Sequence, residues 1–151
     1  AYADGRVIAT TGFDAYADGR VIATTGFGEV FALSAATGKT MWRRQLGVPI
    51  HAPPAVGGGR VFAITVENAL YALDQTDGRD VWPPHRAMSD TARLSGSAAP
   101  AVSGDVVVGP FTSGDLVALR SDNGRVLWAD SLASSRRTDE VTSIAQMTVE
   151  P

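Results

Sequence analysis

The 151-residue sequence is long enough for one domain with a real core, and its 44% hydrophobic and 19% charged content is that of a globular chain. A net charge of −3 argues against a nucleic-acid partner, because phosphate binding relies on a basic face. Cys is absent, which excludes disulfides, thiolate metal sites and Cys nucleophiles, and no apolar run approaches the roughly 20 residues of a membrane span.

In chain order, the first feature is a duplication. Residues 1–13, AYADGRVIATTGF, return letter for letter at 15–27. Old repeats drift, so an identical copy points to a recent, engineered or accidental event. Only the second copy runs on into a complete repeat. Each copy holds Arg-Val-Ile-Ala-Thr-Thr, rich in β-branched residues, after an Asp-Gly turn signal. A second strand is expected over Glu29–Leu33, a turn at Thr37-Gly38, and a third strand from Lys39 to about Gln45. The extended stretch Pro49–Val56 carries prolines that suit an edge strand or a bulged innermost strand better than a central one.

The same order then returns. Gly59–Thr65 matches Gly19–Thr25, Ala69–Leu73 matches Val30–Leu33 with one residue added, and Gly96–Val102 matches the Ala52–Val56 segment. A third round runs from Gly104–Val108 through Asp115–Leu119. The strongest signal is the segment Ala32-Leu33-Ser34-Ala35-Ala36-Thr37-Gly38-Lys39-Thr40-Met41-Trp42. It recurs with the same internal spacing at Ala72–Trp82 and Ala118–Trp128. In every copy the Gly is followed by a cation, Lys39, Arg79 or Arg125. Gly suits a turn position with positive φ. Thr142–Val149 has the character of one more first strand.

Four short strands per repeat of about 40 residues, with no helical periodicity, is the signature of a β-propeller blade. The expected fold is therefore all-β: four-stranded antiparallel blades, about three of them. The expected division is 1–14 (the duplicated strand segment), 15–56 and 57–102 (each a blade plus the first strand of the next), and 103–151 (a blade plus the start of a further one). A blade has two faces to cover, so its neighbours must cover them. Three blades do not close a ring. The chain is expected to belong to a larger propeller or to self-associate, with apolar faces exposed at both ends.

The pattern Ala-x-Asp-x-x-x-Gly-Lys-x-x-Trp resembles the repeat of the quinoprotein (PQQ-type) propellers. That resemblance implies that Trp42, Trp82 and Trp128 dock against neighbouring blades. The Asp of the pattern is kept only as Asp74, with Ser34 and Arg120 in the other copies. Four stretches of the second half, Arg93–Pro100, Gly114–Leu119, Gly124–Trp128 and Thr138–Val141, resemble the middle of the BamB family, lipoproteins of the outer-membrane β-barrel assembly machinery. This resemblance implies an eight-bladed ring at the periplasmic face of the outer membrane. It also implies docking on the periplasmic domains of the barrel protein BamA, through Arg93, Leu94, Asp139 and Glu140. The acidic pair of that pattern is replaced by Gln146 and Thr148. The sequence contains no signal peptide and no lipid-attachment Cys, so these are expected in a segment of the parent protein outside these 151 residues.

The remaining constellations have plain readings. Gly26-Phe27-Gly28 is a Gly-x-Gly with no helix after it to bind phosphate, so a turn is expected. Asp77-Gly78 and Asp122-Asn123-Gly124 lack the further ligands of a calcium loop. His51 and His85 have no metal-ligand spacing, and Ser95-Gly96-Ser97 is no nucleophile elbow. Arg43-Arg44 and Arg136-Arg137 are read as solvated surface. The expected function is a non-enzymatic protein-binding scaffold without cofactor or metal. Two alternatives are weighed: an engineered propeller fragment that only self-assembles, in which the extra copy supplies a strand to the first blade, and a fragment of a PQQ-dependent dehydrogenase.

Overall fold

Three antiparallel sheets of four strands follow one another along the chain in a computed structural model that describes residues 2–3, 6–7, 13–87 and 98–131. The first sheet holds β3 (Phe13–Ala17), β4 (Arg20–Thr24), β5 (Glu29–Ser34) and β6 (Thr40–Gln45). The second holds β7 (Ala55–Gly57), β8 (Arg60–Ile64), β9 (Ala69–Asp74) and β10 (Asp80–Arg86). The third holds β11 (Ala101–Ser103), β12 (Val106–Pro110), β13 (Asp115–Arg120) and β14 (Val126–Ser131). In each sheet the strands pair in sequence order as a meander, which is the architecture of a propeller blade. The short strands β3, β7 and β11 lie side by side on the inner edge. Two further strands, β1 (Tyr2–Ala3) and β2 (Arg6–Val7), form a separate hairpin.

Local chemistry explains the meander. The β3–β4 connection is Asp18-Gly19, with φ of 48° and 73°, and the β7–β8 connection is Gly58-Gly59, with 60° and 73°. Two successive positive-φ residues make the hairpin turn whose twist matches that of strands. The next turn needs one positive φ, supplied by Gly28, Asn68 and Gly114 in the three blades. Asn is among the few side-chain-bearing residues that tolerate this region.

Of the first copy of the duplication, residues 2–3, 6–7 and 13 are described. Strand β3 straddles the join between the copies, so among the described residues of the first copy Phe13 is the one that pairs within the blade, opposite Thr24. The described part of the first copy makes its own hairpin in the same register. Tyr2 pairs with Val7 and Ala3 with Arg6, as Tyr16 pairs with Val21 and Ala17 with Arg20. Identical sequence thus yields the same pairing register. In Pro49–Val56 the prolines stay outside the ladder, and β7 begins only at Ala55.

The core lies between blades. Strand alternation sends Ile22, Val30, Ala32 and Trp42 of the first blade against Val61, Ala63 and Leu73 of the second, with Ile50 of the connection filling the same cluster. On its other face the second blade presents Phe62, Ile64, Leu70, Ala72 and Trp82 to Val107, Phe111, Val117 and Leu119 of the third. Four successive residues of β8, Val61–Ile64, are therefore buried. Two connections reinforce the junctions. Thr24 donates its hydroxyl to the Ala52 carbonyl (3.2 Å). Asn68 Oδ1 accepts both the backbone N–H and the hydroxyl of Thr112 across the second junction, each at 2.9 Å.

Asn68 thus holds a turn and a cross-blade pair at once. Asn68→Gly keeps the backbone and loses the pair, and is expected to cost about 1–3 kcal/mol in urea denaturation. Asn68→Ala adds the positive-φ penalty of about 1–2 kcal/mol, so it should be the worse of the two.

Candidate functional site

The three turns that precede the Trp strands have one construction. Gly38, Gly78 and Gly124 have φ of 73°, 76° and 72°. Their N–H groups donate to the carbonyls of Ser34, Asp74 and Arg120 at 2.7, 2.9 and 2.9 Å. Ala35, Gln75 and Ser121 each donate N–H back to the blade's own first turn, at Gly19, Gly59 and Asp105. Every outer strand also has a register shift just before its Trp. Trp42 pairs with Ala32, Trp82 with Ala72 and Trp128 with Ala118. The bulge gives each indole the same outward pose.

Two indoles are seated on the following blade. Trp42 Nε1 donates to the Gln75 carbonyl at 2.8 Å, and Trp82 Nε1 to the Ser121 carbonyl at 3.1 Å. Each ring lies on the turn glycine. A Cβ on Gly78 would stand 2.5 Å from Trp42 Cε3, and one on Gly124 would stand 2.8 Å from Trp82 Cδ2. The glycines are thus required twice, by their φ and by the indole above them. Trp42 and Trp82 are 8% and 6% exposed, whereas Trp128, expected to dock in the same way, is 49% exposed.

Charged groups rim these joints. Arg44 Nη2 reaches Asp80 Oδ2 of the next blade at 2.7 Å, so the Arg43-Arg44 pair is not simply solvated surface. Both partners remain over a third exposed, which keeps the pair within about 0–1 kcal/mol. Asp74 accepts the Thr76 hydroxyl and the Thr76 N–H (2.7 Å), and these bonds hold its carboxyl below the ordinary Asp range. Where the Asp is lost, Arg120 takes the position and grips Asp122, with Nε and Nη2 each 2.9 Å from a carboxylate oxygen. An exposed ion pair thus spans the turn that in the second blade is bridged by Asp74 and Thr76. His85, near the end of β10, stacks on Phe111 at 6.4 Å, and burial pushes its pKa down. His51 is exposed in the connection before β7.

The residues expected to dock a partner, Arg93, Leu94, Asp139 and Glu140, lie outside the described residues. Their segments follow β10 and β14, the outer strands of successive blades. Among the described residues, no group of three or more His, Asp or Glu is placed to hold a metal ion. Sequence reasoning missed Asn68, although its alignment with Gly28 and Gly114 marks a positive-φ position. It also missed the acceptor carbonyls of Gln75 and Ser121, which leave no trace in residue type.

Four-stranded meanders joined by an indole on the next blade's glycine turn define β-propeller blades of the quinoprotein-like kind. The chain belongs to the family described as outer membrane protein assembly factor BamB, whose family profile matches residues 4–151. The outer membrane protein assembly factor BamB of Burkholderia pseudomallei is 30% identical over 125 residues, 82% of this chain and 32% of that protein. That of Xanthomonas campestris is 32% identical over 120 residues, 72% of this chain and 28% of that protein. The chain therefore spans about a third of the length of these curated relatives. The crystal structure of BamB from Moraxella catarrhalis superposes with a TM-score of 0.70 at 27% identity, covering 86% of this chain and 39% of that one. Quinohemoprotein alcohol dehydrogenase from Comamonas testosteroni superposes with a TM-score of 0.65, covering 81% of this chain and 21% of that one, but its 19% identity shows a shared fold alone.

The seated indole separates two glycines of similar φ, Gly19 at 73° and Gly78 at 76°. Gly19 has φ of 73° and, among the described residues, nothing within 4 Å of an added Cβ. Gly19→Ala is expected to cost the conformational term, about 1–2 kcal/mol. Gly78→Ala adds overpacking against Trp42, for about 2–5 kcal/mol in total, read from chemical denaturation of both variants.

Proposed function

We propose that this chain is part of a non-enzymatic scaffold of the outer-membrane β-barrel assembly machinery, working at the periplasmic face of the outer membrane. The observation that carries this reading is the family match over residues 4–151. The geometry supports it: packed blades give a stiff frame, and the connections after β10 and β14 leave that frame at equivalent points.

The partner proposed is the set of periplasmic domains of a BamA-like barrel protein. Leu94 beside Arg93 would provide an apolar anchor with a cationic neighbour, a combination suited to a protein interface. Asp139 and Glu140 would provide an acidic contact one blade further on. Surface presentation is the whole mechanism, with no bond made or broken.

Binding of the purified chain to those periplasmic domains, measured by biolayer interferometry, tests this. Saturable binding is expected, weakened about 10-fold or more by Leu94→Asp, a loss of about 1.4 kcal/mol or more. Asp139→Lys with Glu140→Lys should weaken it further. No binding, or binding unaffected by these changes, would contradict the proposal. So would tight stoichiometric binding of pyrroloquinoline quinone in the presence of calcium.

A further inference from the structure

The residue before each turn glycine does the same work in all three blades. Thr37 Oγ1, Asp77 Oδ1 and Asn123 Oδ1 accept the backbone N–H of Lys39, Arg79 and Arg125 at 3.3, 3.0 and 2.9 Å. Of these three acceptors, Asn123 is the one that carries an amide. An amide followed by glycine is a reactive pair, because glycine has no side chain to block approach to its nitrogen. Once the Gly124 N–H has lost its proton to solvent, that nitrogen can attack Asn123 Cγ. The new N–Cγ bond closes a succinimide ring, the Cγ–Nδ2 bond breaks, and the side-chain nitrogen leaves as ammonia. Water then opens the ring. Attack at Cγ gives an aspartyl residue, and attack at the main-chain carbonyl gives an isoaspartyl residue. Water reaches the site, since Asn123 is exposed. Asp77 is exposed at the same position of a blade packed on both faces, so exposure belongs to the turn.

The joint between the second and third blades opposes the reaction. The Gly124 N–H that must be lost donates to the Arg120 carbonyl at 2.9 Å. Trp82 donates to the Ser121 carbonyl at 3.1 Å, and its ring lies on Gly124, with Cδ2 2.8 Å from the place of a Cβ. One indole therefore clamps the turn at both ends. The two products differ in what they do to this clamp. The aspartyl product has a precedent in the molecule: Asp77 accepts the Arg79 N–H in the same turn, with Arg79 Nε 3.6 Å from its other carboxylate oxygen, and Gly78 stays under Trp42. The isoaspartyl main chain runs through Cβ and Cγ and is longer by one carbon. Gly124 then cannot keep both its bond to Arg120 and its place under Trp82.

We propose that Asn123 is a site of spontaneous deamidation controlled by the seating of Trp82. The seated indole preserves the amide. An opened joint lets it react, and the isoaspartyl product keeps the joint from closing again. The second joint thus ages, whereas the first has Asp77 before its glycine and no amide to lose there. This chemistry is independent of the barrel-assembly partner proposed above.

Ageing the purified chain in mildly alkaline buffer, with peptide mapping by mass spectrometry, tests this. The folded chain should lose the Asn123 amide about 10-fold or more slowly than the chain unfolded in guanidinium chloride, because reaction tracks the opened population. Trp82→Ala should speed the loss by about 10-fold, the scale of a lost aromatic anchor. Trp42→Ala, which loosens the other joint, should leave the rate within about 2-fold. Far-UV circular dichroism checks that both variants are folded. Two further measurements do not depend on Trp82→Ala folding. Asn123→Asp should unfold at the native denaturant midpoint. The aged isoaspartyl species, separated by chromatography, should unfold at a lower midpoint and show a red shift of Trp fluorescence as Trp82 is released. The proposal is overturned by an amide lost equally fast, or not at all, in folded and unfolded chain, or by Trp82→Ala and Trp42→Ala acting alike. An isoaspartyl species as stable as the native chain, or Asn123→Asp as unstable as that species, would overturn it too.

Discussion

One indole laid on a turn that has no side chain is the contact on which the blade stack depends. A four-stranded blade presents apolar residues on both faces, and neither face can be left in water. The neighbouring blade covers them, but apolar burial is non-directional and does not fix the angle between two sheets. The indole does. Its ring needs the glycine below it, and its N–H needs the Gln75 or Ser121 carbonyl. Both conditions are met in one relative placement of the blades. The ion pair at the rim, Arg44 with Asp80, is too exposed to set that placement.

Much of this was legible in the sequence because repetition exposes geometry. The spacing from Ala32 to Trp42, found again at Ala72–Trp82 and Ala118–Trp128, encodes strand, turn and strand with a bulge in one pattern. The β-branched runs mark β4 and β8 because four successive residues of each are buried, whereas β12 is buried at alternate positions. The inner strands were harder. Strands β7 and β11 have three residues each, and β3 begins on the last residue of a duplicated segment, where composition has no edge. Arg44 was misjudged because a cation's partner on another blade, Asp80, is not visible from local sequence. The Asp74 position looked eroded at Arg120, yet Arg120 reaches Asp122 across the same turn.

The fold sets limits on function rather than naming it. Blades of this kind also build quinohemoprotein alcohol dehydrogenase, whose 19% identity carries the architecture and nothing further. The family match identifies the relatives, and a scaffold would use the blades as a frame for its connections. The Trp128 strand and the Gly38 turn belong to the frame itself. Each blade of the repeat is built to receive the one before it and to engage the one after it.

The most direct measurement is a double-mutant cycle on the first joint, with Trp42→Ala and Gly78→Ala made singly and together and unfolding free energies measured by denaturation. If the indole's seat is what Gly78 protects, the alanine costs less once the indole is gone. The two changes should then be non-additive by about 1 kcal/mol or more. Additivity within about 0.5 kcal/mol would mean that Gly78 is needed only for its backbone and that the indole contact does not hold the blades together.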